Sequence, residues 1–219
     1  ALVEHDPRFS DVRVDILRKQ ANLPQSDTTH LITLINLYDI LEILFAKSRK
    51  GTKSTDLKRA RPSDKELKKY WEFSRKYFTL LGEMTAKLQS CFDAKKPEQI
   101  IMKYRHERGG NILFRPVGLL IFTDIVATLM RNFNMTLEKS VAELRSLPGE
   151  LSKYPYEGIL WDKQTGTINV RTKALIRDLL LYYLGYVKDT RRINKLKQRY
   201  ASVRGGEISE FPILQLKKG

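Results

Sequence analysis

Between Val117 and Phe133, apolar side chains fall on every side of any helix the segment forms: Leu119, Leu120, Ile121, Phe122, Ile125, Val126, Leu129, Met130 and Phe133. A helix without a polar face belongs at the centre of a fold, so the other elements must pack around it. The run Gly109-Gly-Asn-Ile-Leu-Phe-Arg-Pro-Val-Gly reads as a polar loop leading into this helix. A membrane span is the rival reading, and three features oppose it. The uninterrupted apolar run is short for a span, Asp124 lies inside it, and Arg115 and Arg131 bracket it. No membrane partner is therefore expected.

A chain of 219 residues can bury a full hydrophobic core, and one domain over residues 1–219 is preferred to two small ones. Forty Lys and Arg against 25 Asp and Glu give a net charge of +15, which draws a protein toward polyanions whatever its fold. Nucleic acid leads that class. A single cysteine, Cys91, excludes an internal disulfide and suits a reducing, cytoplasmic compartment, with Cys91 expected in the core. Ala1 to Val3 is too short for the apolar segment of a secretory leader, and a start at Ala1 leaves a processed product, a designed chain and part of something longer all open.

Taken in order, Val12, Val14, Ile16 and Leu17 fit neither period cleanly, so a strand and a helix stay open, with helix preferred. Leu31 to Ala46 is apolar at most positions and is expected to be a second buried helix. An exposed basic loop follows over residues 45–62. Ser63 with Glu66 three positions later is a capping-box signature. It opens a helix of some 25 residues by the spacing of Leu67, Tyr70, Trp71, Phe78, Leu81, Met84 and Leu88. Glu98 to Arg108 reads as a shorter basic helix or turn. Thr136 is placed to cap a helix carrying Leu137, Val141 and Leu144. The period then changes: residues 158–170 read as a β-hairpin around Asp-Lys-Gln-Thr-Gly, the one clear sheet element. Ala174 to Tyr186 is a third apolar helix, Lys188 to Arg204 a basic one, and 205–219 an extended tail packing through Ile208, Phe211, Ile213 and Leu214. The expected fold is mainly α, a single helical domain around a buried central helix with one small β-hairpin.

No catalytic constellation emerges. His5, His30 and His106 are far apart and match no metal-ligand spacing, and no phosphate-binding Gly-rich loop or nucleophile elbow is present. No cofactor and no metal are called for, and a binding role is preferred to an enzymatic one. Asp124, charged inside the most apolar stretch, needs a partner or a proton; Arg115 could be that partner, and a structural ion pair or hydrogen bond is preferred to a functional acid.

The basic segments carry more information. Lys188, Arg192, Lys195 and Arg199 recur at spacings of four, three and four, and Arg191 broadens the stripe. Ile193, Leu196, Tyr200 and Val203 recur about 100 degrees round the same helix. One face would dock while the other meets phosphates; the plainer alternative is a solvated face. Arg105, Arg108 and Arg115 form a second candidate group. Residues Lys47 to Lys69 hold ten Lys and Arg against three acids and could add contacts. Tyr182, Tyr183, Tyr186 and Tyr200 either stack on bases or belong to the core.

Asn111-Ile-Leu-Phe-Arg-Pro-Val-Gly, then Gly158-Ile-Leu-Trp-Asp, then Ala174-Leu-Ile-Arg-Asp-Leu-Leu-Leu-Tyr-Tyr-Leu-Gly together resemble the C-terminal half of DGQHR-domain proteins, which include the DndB proteins of DNA phosphorothioate modification. The resemblance spans about Asn111 to Gly185 and consists of scaffold patterns. It implies a bacterial cytoplasmic protein tied to DNA modification, its regulation or phage defence. The Asp-Gly-Gln-His-Arg motif itself is absent, so no family catalytic residue transfers. The combined expectation is a DNA-binding module that grips the phosphate backbone. The alternative is a helical scaffold for a partner protein or a missing N-terminal domain.

Overall fold

The computed structural model describes residues 2–9, 13–17, 20, 23–24, 27–47, 62–206 and 211. Around the centre, the helices are α1 (Leu2–His5), α2 (Leu34–Glu42), α3 (Asp64–Met84), α4 (Ala86–Asp93), α5 (Glu98–Tyr104), α6 (Pro116–Phe133), α7 (Leu137–Glu143), α8 (Lys173–Tyr183) and α9 (Thr190–Arg204). The mainly-α class is as the sequence indicated. Most of the basic loop, residues 48–61, lies outside the described residues, as do Ile208, Ile213 and Leu214.

The all-round apolar segment is the central helix α6. Pro116 stands at its first position, where the missing N–H costs nothing. By length and composition α6 could cross a membrane. Its sides are instead occupied by protein: α2 and the π-turn Ile43–Lys47 that follows it, α7, α8, and the 3-10 turn Ile112–Phe114 all pack on it. Ile125, Val126, Ala127 and Leu129 have no exposure at all. Gly118 permits the closest of these approaches, since a Cβ there would lie 1.9 Å from the Ile112 carbonyl oxygen. Inside the core, the Tyr77 hydroxyl of α3 and Thr123 Oγ1 of α6 share a 2.7 Å hydrogen bond.

Local signals set several boundaries. Ser63 and Glu66 form the expected capping box, with Ser63 N–H donating to Glu66 Oε2 at 2.9 Å. Thr136 caps α7 by accepting from Lys139 N–H. The long amphipathic helix, however, stops at Met84: Thr85 is extended (φ −143°, ψ 127°) and starts α4 with its own side chain. The chain thereby turns, and α4 packs back on α3.

The region near Val14 is also corrected. Val14–Asp15 (β1) is a strand, paired in parallel with Ile32–Thr33 (β2), so helix was the wrong choice there and the hairpin is accompanied by a second two-stranded sheet. The buried helix accordingly starts at Leu34, with Thr33 as its cap. The hairpin pairs Trp161–Asp162 (β3) with Thr167–Ile168 (β4), with Asp162 in the strand, opposite Thr167, instead of in the loop. Gly110, at φ +77°, lets Tyr104 O accept from Asn111 N–H at 2.8 Å, while Gly110 O accepts from Leu151 N–H at 2.9 Å. Residues 109–111 are thus joined to 149–151, which leads toward the hairpin.

Candidate nucleic-acid interface

Helix α9 is built as the periodicity required. Asp189 caps it, its carboxylate accepting from Arg192 N–H at 2.8 Å, and Gly205 closes it in the left-handed conformation (φ +74°). Leu196 and Tyr200 are buried against the fold, while Lys188, Arg191, Arg192 and Lys195 are exposed. Ile193 is half-buried, and Val203, expected to dock, is 43% exposed. Arg199 differs from the other cations. Its Nη1 donates to Asp178 Oδ2 at 2.9 Å, and Asp178 also receives Arg177 Nη2 at 2.7 Å.

Arg177 completes that chain of charges by reaching Asp124 Oδ2 at 3.1 Å. Asp124 is therefore paired with Arg177 of α8, not with Arg115. Burial works against the charge on Arg177, but Asp178 and Asp124 outweigh it and hold its pKa above the ordinary value. This network staples α6, α8 and α9 together, so Arg199 has a structural task that Lys188, Arg191, Arg192 and Lys195 do not share.

Two recesses flank α9. One, of about 580 Å³, is lined by Arg131, Asn132 and Phe133 from the end of α6, by Tyr186, and by Arg192. Phe133 is 43% exposed and meets Tyr186 edge-on with centroids 4.7 Å apart. The other, of about 370 Å³, is lined by Arg171, Gln198 and Arg199 among others. Arg192 and Arg199 lie two turns apart, about 10 Å along the axis. A cationic band thus joins the two recesses, each with an arginine from outside α9, the first mainly polar and the second mainly apolar. Nothing in the spacing pointed to Arg131 or Arg171 as members of this band, because they meet α9 only through the fold.

The second predicted group separates. Arg108 is exposed, but Arg105 and Arg115 are 2% and 5% exposed and do not form part of a surface for duplex phosphates. Arg105 donates to the carbonyls of Phe114 (2.7 Å), Asp27 (2.9 Å), His30 (2.7 Å) and Leu31 (2.6 Å). Arg115 Nη2 donates to the carbonyls of His106 and Gly109. Both satisfy main-chain oxygens that burial would otherwise leave unpaired. Arg13 does likewise for Cys91 O and Phe92 O at the end of α4.

Among the tyrosines, Tyr200 is core, packing at 87° to buried Phe211, with centroids 5.4 Å apart. Tyr182, Tyr183 and Tyr186 are half-buried. Cys91 is fully buried, and burial pushes its thiol up to about 11, with Arg13 and Arg105 opposing only in part.

One cluster was invisible in the spacing of the histidines. Asp15, Asp27 and His30 bring potential ligand atoms within 4.8 Å of one another. Their carboxylates already serve turns: Asp27 Oδ1 accepts from Thr29 and His30 N–H, and Asp15 Oδ1 from Leu17 N–H. The Arg105 guanidinium, bonded to the carbonyls of Asp27 and His30, puts a positive charge beside the cluster and works against a cation.

Compared with protein-family models, curated proteins and solved structures, the chain has no match in any of the three. The interface must be judged on its own geometry.

Proposed function

We propose that this chain is a DNA-associated module of a bacterial, cytoplasmic DNA-modification or defence-related protein, and that it holds duplex DNA by its phosphates through α9. The observation carrying this reading is the division of α9 into a docked face and a cationic face. Leu196 and Tyr200 anchor the helix, and Lys188, Arg191, Arg192 and Lys195 point to solvent. The acids beside them are engaged: Asp189 caps the helix, and Asp178 binds Arg177 and Arg199. Arg131 widens the positive surface beyond the helix.

Contacts of this kind set register and orientation without reading sequence. Catalysis is not part of the proposal. The link to DNA modification rests on the resemblance of Asn111 to Gly185 to DGQHR-domain proteins. Fluorescence anisotropy with duplexes of unrelated sequence tests it: similar affinities that fall steeply with salt support the reading, and no binding at low salt defeats it.

A scaffold role has one specific observation in its favour. Leu34 and Tyr38, one turn apart on α2, are 43% and 49% exposed. A chain that ignores DNA but forms a stoichiometric complex with a separate protein through these residues would be a scaffold instead.

A further inference from the structure

The DNA-binding proposal leaves buried Arg105 and Arg115 unused, and these two share a cavity. It measures about 450 Å³ and lies where α6 and α8 begin, with Arg105, Arg115, Pro116 and Lys173 in its wall. Neither helix has a side-chain cap at its N-terminus. At α6, Pro116 has no N–H and those of Gly118 and Leu119 already donate to Arg115 O, so the helix dipole and the Val117 N–H are what that end offers an anion.

Arg115 supplies an independent sign. It is 5% exposed, and among the described residues its hydrogen bonds run only from Nη2, which leaves Nε buried without a partner. A buried guanidinium N–H without an acceptor is costly. Neither Arg105 nor Arg115 forms an ion pair among the described residues. Burial lowers the pKa of both to about 10, with the charge of Arg115 contributing to the shift of Arg105. Two cations therefore face one cavity from inside the protein, and Lys173 adds a third at its exposed rim.

Among the described residues of the wall, Asp39 is the one acid against Arg105, Arg115 and Lys173, an excess of two positive charges. A phosphomonoester, with a charge near −2 and several acceptor oxygens, complements that better than a carboxylate does. The rest of the wall is largely apolar, with Leu23, Pro24, Val117, Leu120, Ile168 and Val170. The volume is in the ordinary range for a small organic ligand.

We propose that this cavity binds a phosphomonoester attached to a flat or apolar body, the chemistry of a nucleoside monophosphate. Arg115, the start of α6 and Lys173 hold the phosphate, and the apolar wall takes the base. A free mononucleotide and the 5′-phosphate of a DNA strand end present the same group. The site is separate from α9 and does not depend on the DNA-binding proposal.

The test is thermal denaturation and calorimetric titration of the full chain with adenosine monophosphate, adenosine and inorganic phosphate. At a hundredfold excess over its dissociation constant, the nucleotide is expected to raise the Tm by about 5 °C. Adenosine and phosphate alone should bind far more weakly. Lys173→Glu and Val170→Glu, both at exposed rim positions, should each weaken nucleotide binding about tenfold, with Arg115→Lys as the buried counterpart. The Arg192→Ala/Lys195→Ala variant should bind it unchanged. A 5′-phosphorylated duplex that displaces the nucleotide identifies strand ends as the source, and failure to displace it identifies the free nucleotide. Three outcomes overturn the proposal: no stabilisation at millimolar nucleotide, equal binding of adenosine or of bare phosphate, and full binding by both rim variants.

Discussion

Gly118→Ala puts two rules in opposition. In an exposed helix interior, alanine in place of glycine gains about 1 kcal/mol. At Gly118 the new methyl would sit 1.9 Å from Ile112 O, 2.5 Å from Ile112 Cγ1 and 2.7 Å from Ile112 C. Contacts under 3.0 Å are essentially never made by real Cβ atoms, so 3.0 minus 1.9 means a shift of at least 1.1 Å. Little there is free to move. Ile112 is fully buried, its N–H donates to Gly149 O at 2.8 Å, and its carbonyl accepts from Arg115 N–H at 3.0 Å. Overpacking of a well-filled core costs about 1–3 kcal/mol, more when backbone must shift. The net expectation is a loss of about 2 kcal/mol. With a slope of about 2 kcal/mol per molar urea for a chain of this size, the unfolding midpoint should drop by about 1 M. An unchanged or higher midpoint would refute the close packing of α6 on the turn before it.

Two further predictions follow from buried groups. Asp6 is 3% exposed; burial raises its carboxyl pKa, but hydrogen bonds and charge from Arg8, with Arg75 nearby, outweigh this and leave it below the ordinary value. Its contribution is thus complete above the unfolded pKa near 3.8 and fades as pH falls through the lower folded value. Wild type should lose stability below about pH 4 more steeply than Asp6→Asn in urea melts across pH; parallel curves would contradict the assignment. The Cys91 thiol, buried and pushed up to about 11, should ignore a disulfide reagent at pH 8 until urea unfolds the chain. A native rate near that of a free thiol would show the α4 region to be open.

What was legible in the sequence is what short-range chemistry fixes. The Ser63 capping box, the Thr136 cap and the all-round apolar α6 each announce themselves within a few residues. The β1–β2 pair does not, because each strand is two residues long and its partner is 18 positions away. The break at Thr85 was masked by an apolar stripe that runs on from α3 to Leu88, which the turn buries equally well. For the basic residues, charge alone did not say which way a side chain points. Lys188, Arg191, Arg192 and Lys195 were read correctly as exposed because Leu196 and Tyr200 mark the opposite, docked side of their helix. Arg105 and Arg115 lie beside loops without a period, where main-chain carbonyls drew them inward. Asp124 needed a partner, and only the fold could show that Arg177, 53 residues away, supplies it.

The central claim, that α9 is a phosphate-binding surface, is tested most directly by the salt dependence of duplex binding in the Arg192→Ala/Lys195→Ala variant, after urea melts show that it stays folded. Both side chains are exposed, so the fold should tolerate the change. Each phosphate contact contributes about 0.9 to the slope of log K against log salt, so losing two should flatten it by about 1.8 while weakening all duplexes alike. An unchanged slope, or a loss confined to one sequence, would contradict the account.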